Sequence, residues 1–142
     1  MEDYELFDRN TKAFIHGTQQ RAAQRMIDFD YLCRREEPSV GGFISPTGGG
    51  YFTVFWGTEE IRIPRYTSIA EAVEAHPEAD VMVNFASARS CAESTMEALE
   101  RDTLRTVVMI AEGVPQRDTR KIAAIAKEKN KWVIGPATVG GI

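Results

Sequence analysis

Along this chain, apolar runs of strand length alternate with segments whose apolar residues recur at helical spacing, and few architectures accept that order. Alternation of this kind builds βαβ units, in which each helix returns the chain over a sheet so that the next strand lies parallel to the last. Residues 12–16 read as the first strand, closed by Gly17, and residues 20–29 as the first helix, with Ala22, Ala23, Met26 and Ile27 on its buried face. A second strand, 40–45, runs into Pro46-Thr47-Gly48-Gly49-Gly50. Residues 51–56 and 61–63, separated by Gly57-Thr58-Glu59-Glu60, interrupt the alternation and suit a hairpin or an extended excursion.

Two further helices are marked by their starts. Ser68 with Glu71, and Ser90 with Glu93, have capping-box spacing, in which side chains satisfy N–H groups that the first turn leaves unpaired. Helices are therefore expected to begin near 68 and 90, the earlier one stopped by Pro77. Between them lies a strand at 81–85, and 106–110 follows as a strand apolar enough to be central. Pro115 opens a helix carrying Ile122, Ile125 and Ala126, and 131–134 is a last strand at the sheet edge. The expected fold is α/β, a mostly parallel sheet with helices on both faces, preceded by a polar tail over 1–10. The glycine-rich run Gly135-Pro136-Ala137-Thr138-Val139-Gly140-Gly141-Ile142 looks cut at a functional loop, as if residues 11–142 were one domain of something larger.

Composition narrows the function. With 142 residues, 43% of them hydrophobic, the chain can bury a core without disulfides or a structural metal. Cys33 and Cys91 show no CxxC spacing and read as buried thiols in a reducing, cytoplasmic setting. No apolar run approaches the ~20 residues that span a bilayer, and the acidic start is unlike a signal peptide. A net charge of −4 with no concentrated basic stretch disfavours a nucleic-acid partner. His16 and His76 lack a spacing that suits a metal or a triad, and Trp56 and Trp132 read as packing residues.

In such a sheet a ligand lies beyond the carboxyl ends of the strands, where helix N-termini offer unpaired N–H groups and about +0.5 of partial charge. The loops there are Gly17-Thr18-Gln19-Gln20-Arg21, Ser45-Pro46-Thr47-Gly48, Phe85-Ala86-Ser87-Ala88-Arg89-Ser90, Ile110-Ala111-Glu112-Gly113 and Gly135-Pro136-Ala137-Thr138. Small, hydroxyl and guanidinium side chains dominate them, which suits a phosphate-bearing, nucleotide-like ligand. NAD is disfavoured: GxGxxG is absent after the first strand, and the second ends in Ser45-Pro46 rather than in an acid for the ribose hydroxyl. Arg89, beside Ser87 and Ser90, reads either as a phosphate partner or as a solvated arginine, and Arg21 is similar. Glu112, an acid ending an apolar strand, reads either as a turn acid or as a charge awaiting a partner.

Several segments carry a resemblance: Asp28-Phe29-Asp30-Tyr31, Arg35-Glu36-Glu37-Pro38-Ser39-Val40, Trp56-Gly57, Asn84-Phe85-Ala86-Ser87-Ala88-Arg89-Ser90, Ala111-Glu112-Gly113-Val114-Pro115 and the Gly-Pro turn at 135. Over nearly its whole length the chain closely resembles the CoA-binding domain of the ATP-citrate lyase and citryl-CoA synthetase family. More loosely it is similar to the N-terminal domain of succinyl-CoA synthetase α-subunits, which lack the Asn-Phe-Ala-Ser-x-Arg-Ser stretch. The resemblance implies a Rossmann-like domain holding CoA through Gly17, Thr18, Gln19, Arg21, Pro46, Thr47, Phe85, Ser87, Arg89, Ser90, Ile110 and Ala111. It also implies that Glu112 belongs to the catalytic centre, near a phosphohistidine supplied by a following domain in a Gly-His-Ala-Gly segment. ATP and Mg would be held by other domains or subunits of an oligomeric enzyme, so this chain alone would bind CoA without completing a turnover. The alternatives are a domain of a succinyl-CoA synthetase-like ligase and a stand-alone CoA or nucleotide sensor.

Overall fold

The computed structural model describes residues 6–137. Its sheet has seven strands in the order β3-β4-β2-β1-β5-β6-β7. These are β1 (Ala13–His16), β2 (Val40–Ile44), β3 (Gly50–Trp56), β4 (Glu59–Tyr66), β5 (Val81–Asn84), β6 (Thr106–Met109) and β7 (Trp132–Ile134). Neighbouring strands run parallel except β3, which pairs antiparallel with β4. The expected excursion is thus a hairpin closed by Gly57-Thr58, and Gly57 takes a φ of 64° that the tight turn requires.

Strand order reverses at β1, which pairs with β2 on one side and β5 on the other. Alternation along β1 sends successive side chains to opposite faces. Ile15 packs with Ala23 and Ile27 of α1 (Gln20–Leu32), and with Val40, Phe43 and Val54. Phe14 joins the opposite cluster, with Ile69 and Ala72 of α2 (Ile69–Ala75), Cys91, Ala98 and Leu99 of α3 (Ala88–Leu99), and Ile122 and Ala126 of α4 (Gln116–Glu128). Helices therefore cover both faces of a mostly parallel sheet.

Four expectations need correction. The box at Ser68 forms in part: the Glu71 N–H donates to Ser68 Oγ at 3.1 Å, while the Glu71 carboxylate accepts from Thr67 N–H and Oγ instead of from Ser68 N–H. The box at Ser90 and Glu93 does not form. Helix α3 has already begun at Ala88, because the extended Ser87 carbonyl accepts the N–H groups of Ser90 (2.9 Å) and Cys91 (2.8 Å). Cys33 is exposed and only Cys91 is buried, since α1 runs on through Leu32 and leaves Cys33 at its exposed C-cap. Trp132 is 37% exposed on the edge strand, whereas Trp56 packs edge-on to Tyr31 with centroids 5.5 Å apart. The glycine-rich expectation over 138–142 lies outside the described residues, as does the start of the tail over 1–5.

One polar group ties the sheet to α3. Asn84, fully buried at the end of β5, donates from its amide nitrogen to Ser94 Oγ (2.9 Å), Thr95 Oγ1 (3.0 Å) and the Cys91 carbonyl (3.3 Å). Its amide oxygen accepts the Ala86 N–H at 3.0 Å. Asn84→Ala leaves these buried partners unmatched and should lower unfolding free energy by about 2–3 kcal/mol in urea titration. A loss under about 0.5 kcal/mol, the scale of a neutral surface change, would contradict this role.

Candidate functional site

The reversal of strand order opens a crevice at the carboxyl edge, the place where such sheets hold ligands. A cleft of about 420 Å³ lies there, and its walls come from both sides of the reversal: Gly17 and Thr18 after β1, Ser45 to Thr47 after β2, Ala86 after β5, and one face of α3 from Ser90 to Glu97. Of the residues expected from the sequence, Gly17, Thr18, Pro46, Thr47 and Ser90 line it. Phe85 stands behind Gly17, whose φ is 131°; a β-carbon on Gly17 would come within 3.2 Å of Phe85 Cβ. Ser87 Oγ is 3.4 Å from Ser90 Oγ, which places it at the same helix start.

The remaining expected residues sit around the cleft rather than in its walls. Gln19 is the N-cap of α1, and Arg21 is exposed in its first turn. Arg89 is exposed in the first turn of α3. Ile110 and Ala111 follow β6 half-buried, and the Ala111 carbonyl accepts the Ala137 N–H at 2.9 Å, which joins this loop to the turn after β7. Glu112 is exposed, so it bears none of the burial cost suggested by its position after an apolar strand. Its neighbour Gly113 has φ 78°, and a β-carbon there would lie 4.0 Å from Ala88 Cβ, so the Glu112 turn abuts the start of α3.

The helix termini differ in a way that bears on chemistry. Ser68 caps α2, which carries Glu71 in its first turn, and α4 carries Asp118. Helices α1 and α3, which start at the cleft, have neither a side-chain cap nor an acid in the first turn. The N–H groups of Gln20 and Ser90 already meet the Thr18 and Ser87 carbonyls, which leaves those of Arg21, Ala22, Ala88 and Arg89, with the positive dipole ends, available to an anion.

Sequence reasoning gave no place in the site to His16, Arg65, Glu93 and Glu97, and named Ser45 only as part of its strand-end loop. His16 is 8% exposed, lines the cleft and has an Nδ1 with no hydrogen-bond partner. Burial pushes its pKa below the ordinary 6.5, against a smaller opposing pull from Glu97. The available signal was its position, a polar residue closing an apolar strand just before a glycine turn. Among the described residues, Glu93 and Glu97 are the carboxylates of the cleft wall, and no lysine or arginine lines it. A phosphate is therefore better placed at the rim of the cleft, as at the helix starts, than beside these carboxylates.

Comparison with known proteins agrees with this geometry. A family model described as CoA binding domain matches residues 8–113. The ATP-citrate synthase beta chain protein 1 of Arabidopsis thaliana is 52% identical over 138 residues, covering 97% of this chain and 23% of the relative. The ATP-citrate synthase of Bos taurus is 50% identical over 96% of the chain and 13% of its own length. Among solved structures, ATP citrate lyase from Methanothrix soehngenii in complex with citrate and coenzyme A superposes with a TM-score of 0.96 at 58% identity, covering 99% of this chain and 23% of that one. A Methanosaeta concilii ATP citrate lyase mutant with (3S)-citryl-CoA gives the same values. The chain thus spans less than a quarter of the length of these relatives.

The depressed pKa of His16 makes stability depend on pH. The unfolded chain takes up the imidazole proton first as pH falls, so the contribution of neutral His16 is present above its ordinary pKa and is lost on acidification towards the folded value. The local slope from one such group cannot exceed about 1.4 kcal/mol per pH unit. Chemical denaturation at about pH 7 and pH 5 should show a shallower loss in His16→Gln than in the native sequence. Identical pH profiles would show that His16 titrates alike folded and unfolded.

Proposed function

This chain belongs to the CoA binding domain family, and on that premise we propose that it holds coenzyme A at its carboxyl edge as one domain of an ATP-dependent citrate-activating enzyme. The observation that carries the reading is the pair of uncapped, acid-free helix starts, α1 and α3, opening on one cleft at the strand reversal. The diphosphate of CoA takes the N–H groups of these starts, with Arg89 and Arg21 as exposed cations beside them. The carboxylate-lined cleft receives an uncharged hydrogen-bonding part of the ligand. Gly17, Thr18, Gln19, Pro46, Thr47, Phe85, Ser87, Ser90, Ile110 and Ala111 shape the contact surface, within a binding unit over 11–142.

The relatives are citrate enzymes at 50–58% identity, which favours citrate over succinate as the acid activated by the complete protein. In that reaction the CoA thiolate attacks the acyl carbon of citryl phosphate and inorganic phosphate leaves, giving citryl-CoA. Cleavage of citryl-CoA then yields acetyl-CoA and oxaloacetate. ATP and Mg belong to other domains or subunits, and this chain supplies CoA and Glu112. Exposed beside the start of α3, Glu112 is free to meet a phosphorylated histidine of another domain and orient its ring. Relatives named as a beta chain and as subunit 1 support an oligomeric assembly. The exposed, unpaired Cys33 fits a reducing cytoplasm, and no helix among the described residues is long and apolar enough to cross a membrane.

Titration calorimetry of the chain with CoA, NAD and ADP should show CoA binding more tightly than NAD; the reverse order would overturn the reading. Arg89→Ala should weaken CoA by about 1.5 kcal/mol, the lower range for a charge-assisted hydrogen bond because Arg89 is exposed. An unchanged affinity would leave Arg89 a solvated residue. In the complete enzyme, Glu112→Gln should slow formation or consumption of the phosphohistidine about 10²-fold or more, as expected for a positioned acid–base group. Single-turnover assays with labelled ATP measure this, and normal turnover would make Glu112 a structural turn acid.

A further inference from the structure

Among the described residues, Arg65 is a half-buried cation held by an aromatic ring and a hydroxyl and by no acid. It lies half-buried near the end of β4, paired with Phe43 of β2 and with Gly50 of β3. Its guanidinium carbon sits 4.5 Å from the Phe52 ring centroid. Nη2 reaches Ser45 Oγ at 3.4 Å, and Ser45 Oγ in turn lies 3.2 Å from Thr47 Oγ1. Nε is buried with no hydrogen-bond partner. Two other arginines with sheltered guanidiniums do have acids: Arg35 has Asp30 at 4.0 Å, and Arg101 has Glu97 at 3.8 Å. Arg65 has no carboxylate within ion-pair distance among the described residues. A half-buried guanidinium with neither a salt bridge nor full hydrogen bonding is costly unless an anion completes it.

Position identifies that anion. In dinucleotide folds an acid at the end of the second strand holds a ribose hydroxyl, and where the ribose carries a phosphate a nearby arginine accommodates it. Here β2 is followed by Ser45 and Pro46 with no acid, and Arg65 stands beside it. Gly48 of the same loop lies close to the cation, since a β-carbon there would stand 3.8 Å from Nη2, in ordinary contact. Ser45 and Thr47 line the cleft, so a phosphate accepting from their hydroxyls meets Nη2 as a third, charged donor. CoA has two phosphate groups to place, a diphosphate and a ribose 3′-phosphate. With the diphosphate at the starts of α1 and α3, the second falls at the end of β2.

We infer that Arg65, with Ser45 and Thr47, binds the ribose 3′-phosphate of CoA and makes the site prefer CoA to dephospho-CoA. This rests on the CoA reading above, and the two fail differently. The test is calorimetry of the 142-residue chain with CoA and with dephospho-CoA, for the native sequence, Arg65→Met and Arg65→Lys. The native chain should prefer CoA by about tenfold or more, as for a charge-assisted contact. Arg65→Met, which can still cover Phe52, should lose that preference by weakening CoA alone. Arg65→Lys keeps a charge without the planar fork and should keep only part of it. Equal native affinities, a preference unchanged in Arg65→Lys, or an Arg65→Met variant that weakens both ligands alike would overturn the assignment. A native chain that binds neither ligand would instead overturn the CoA reading itself.

Discussion

The amide of Asn84 sets the geometry on which the site depends. At the end of β5 it holds Ser94, Thr95 and Cys91 of α3 on one side and the Ala86 N–H on the other. This fixes where α3 begins relative to the carboxyl edge, and therefore where its unpaired N–H groups point. The opposite wall is fixed by β1, which hands the chain to Gly17 beside Phe85. A parallel ladder across β2, β1 and β5, with one register shift between Ala13 and Phe14 on the β2 side, keeps the two walls together. Because the Asn84 network is buried and fully partnered, it behaves as a rigid support and not as a hinge.

Electrostatics at the site are divided by location. Positive character comes from backbone at the starts of α1 and α3 and from Arg65 behind Ser45, while the cleft wall carries Glu93, Glu97 and a neutral His16. A ligand with phosphates at its perimeter and an uncharged hydrogen-bonding body fits that division. A small free anion in the depth of the cleft does not, because it would meet the glutamates.

Much of this was legible in the sequence. Strand and helix order followed from apolar periodicity, and the strand-end loops containing Gly17, Thr47 and Ser90 followed from the rule that ligands sit at carboxyl edges. The cap at Ser68 was readable because its interactions are local. The start of α3 was not, because it rests on the buried Asn84 amide, which α3 itself holds through Cys91, Ser94 and Thr95 and which takes the Ala86 N–H ahead of Ser90. Arg65 and His16 were illegible for a related reason. Their meaning lies in what surrounds them in space: a serine twenty residues away for Arg65, and a helix face from another βαβ unit for His16. Glu112 misled in the opposite direction, since a residue following a buried strand need not itself be buried.

The central claim is that the free N–H groups at the starts of α1 and α3 receive the phosphates of CoA. Backbone amide NMR of the chain during CoA addition reports on those groups directly. The largest shift changes should fall on residues 21–22 and 88–89, the first-turn N–H groups that have no backbone partner. Changes concentrated in the groove between α4 and β7, around Ile122, Trp132 and Val133, with the starts of α1 and α3 unmoved, would contradict it.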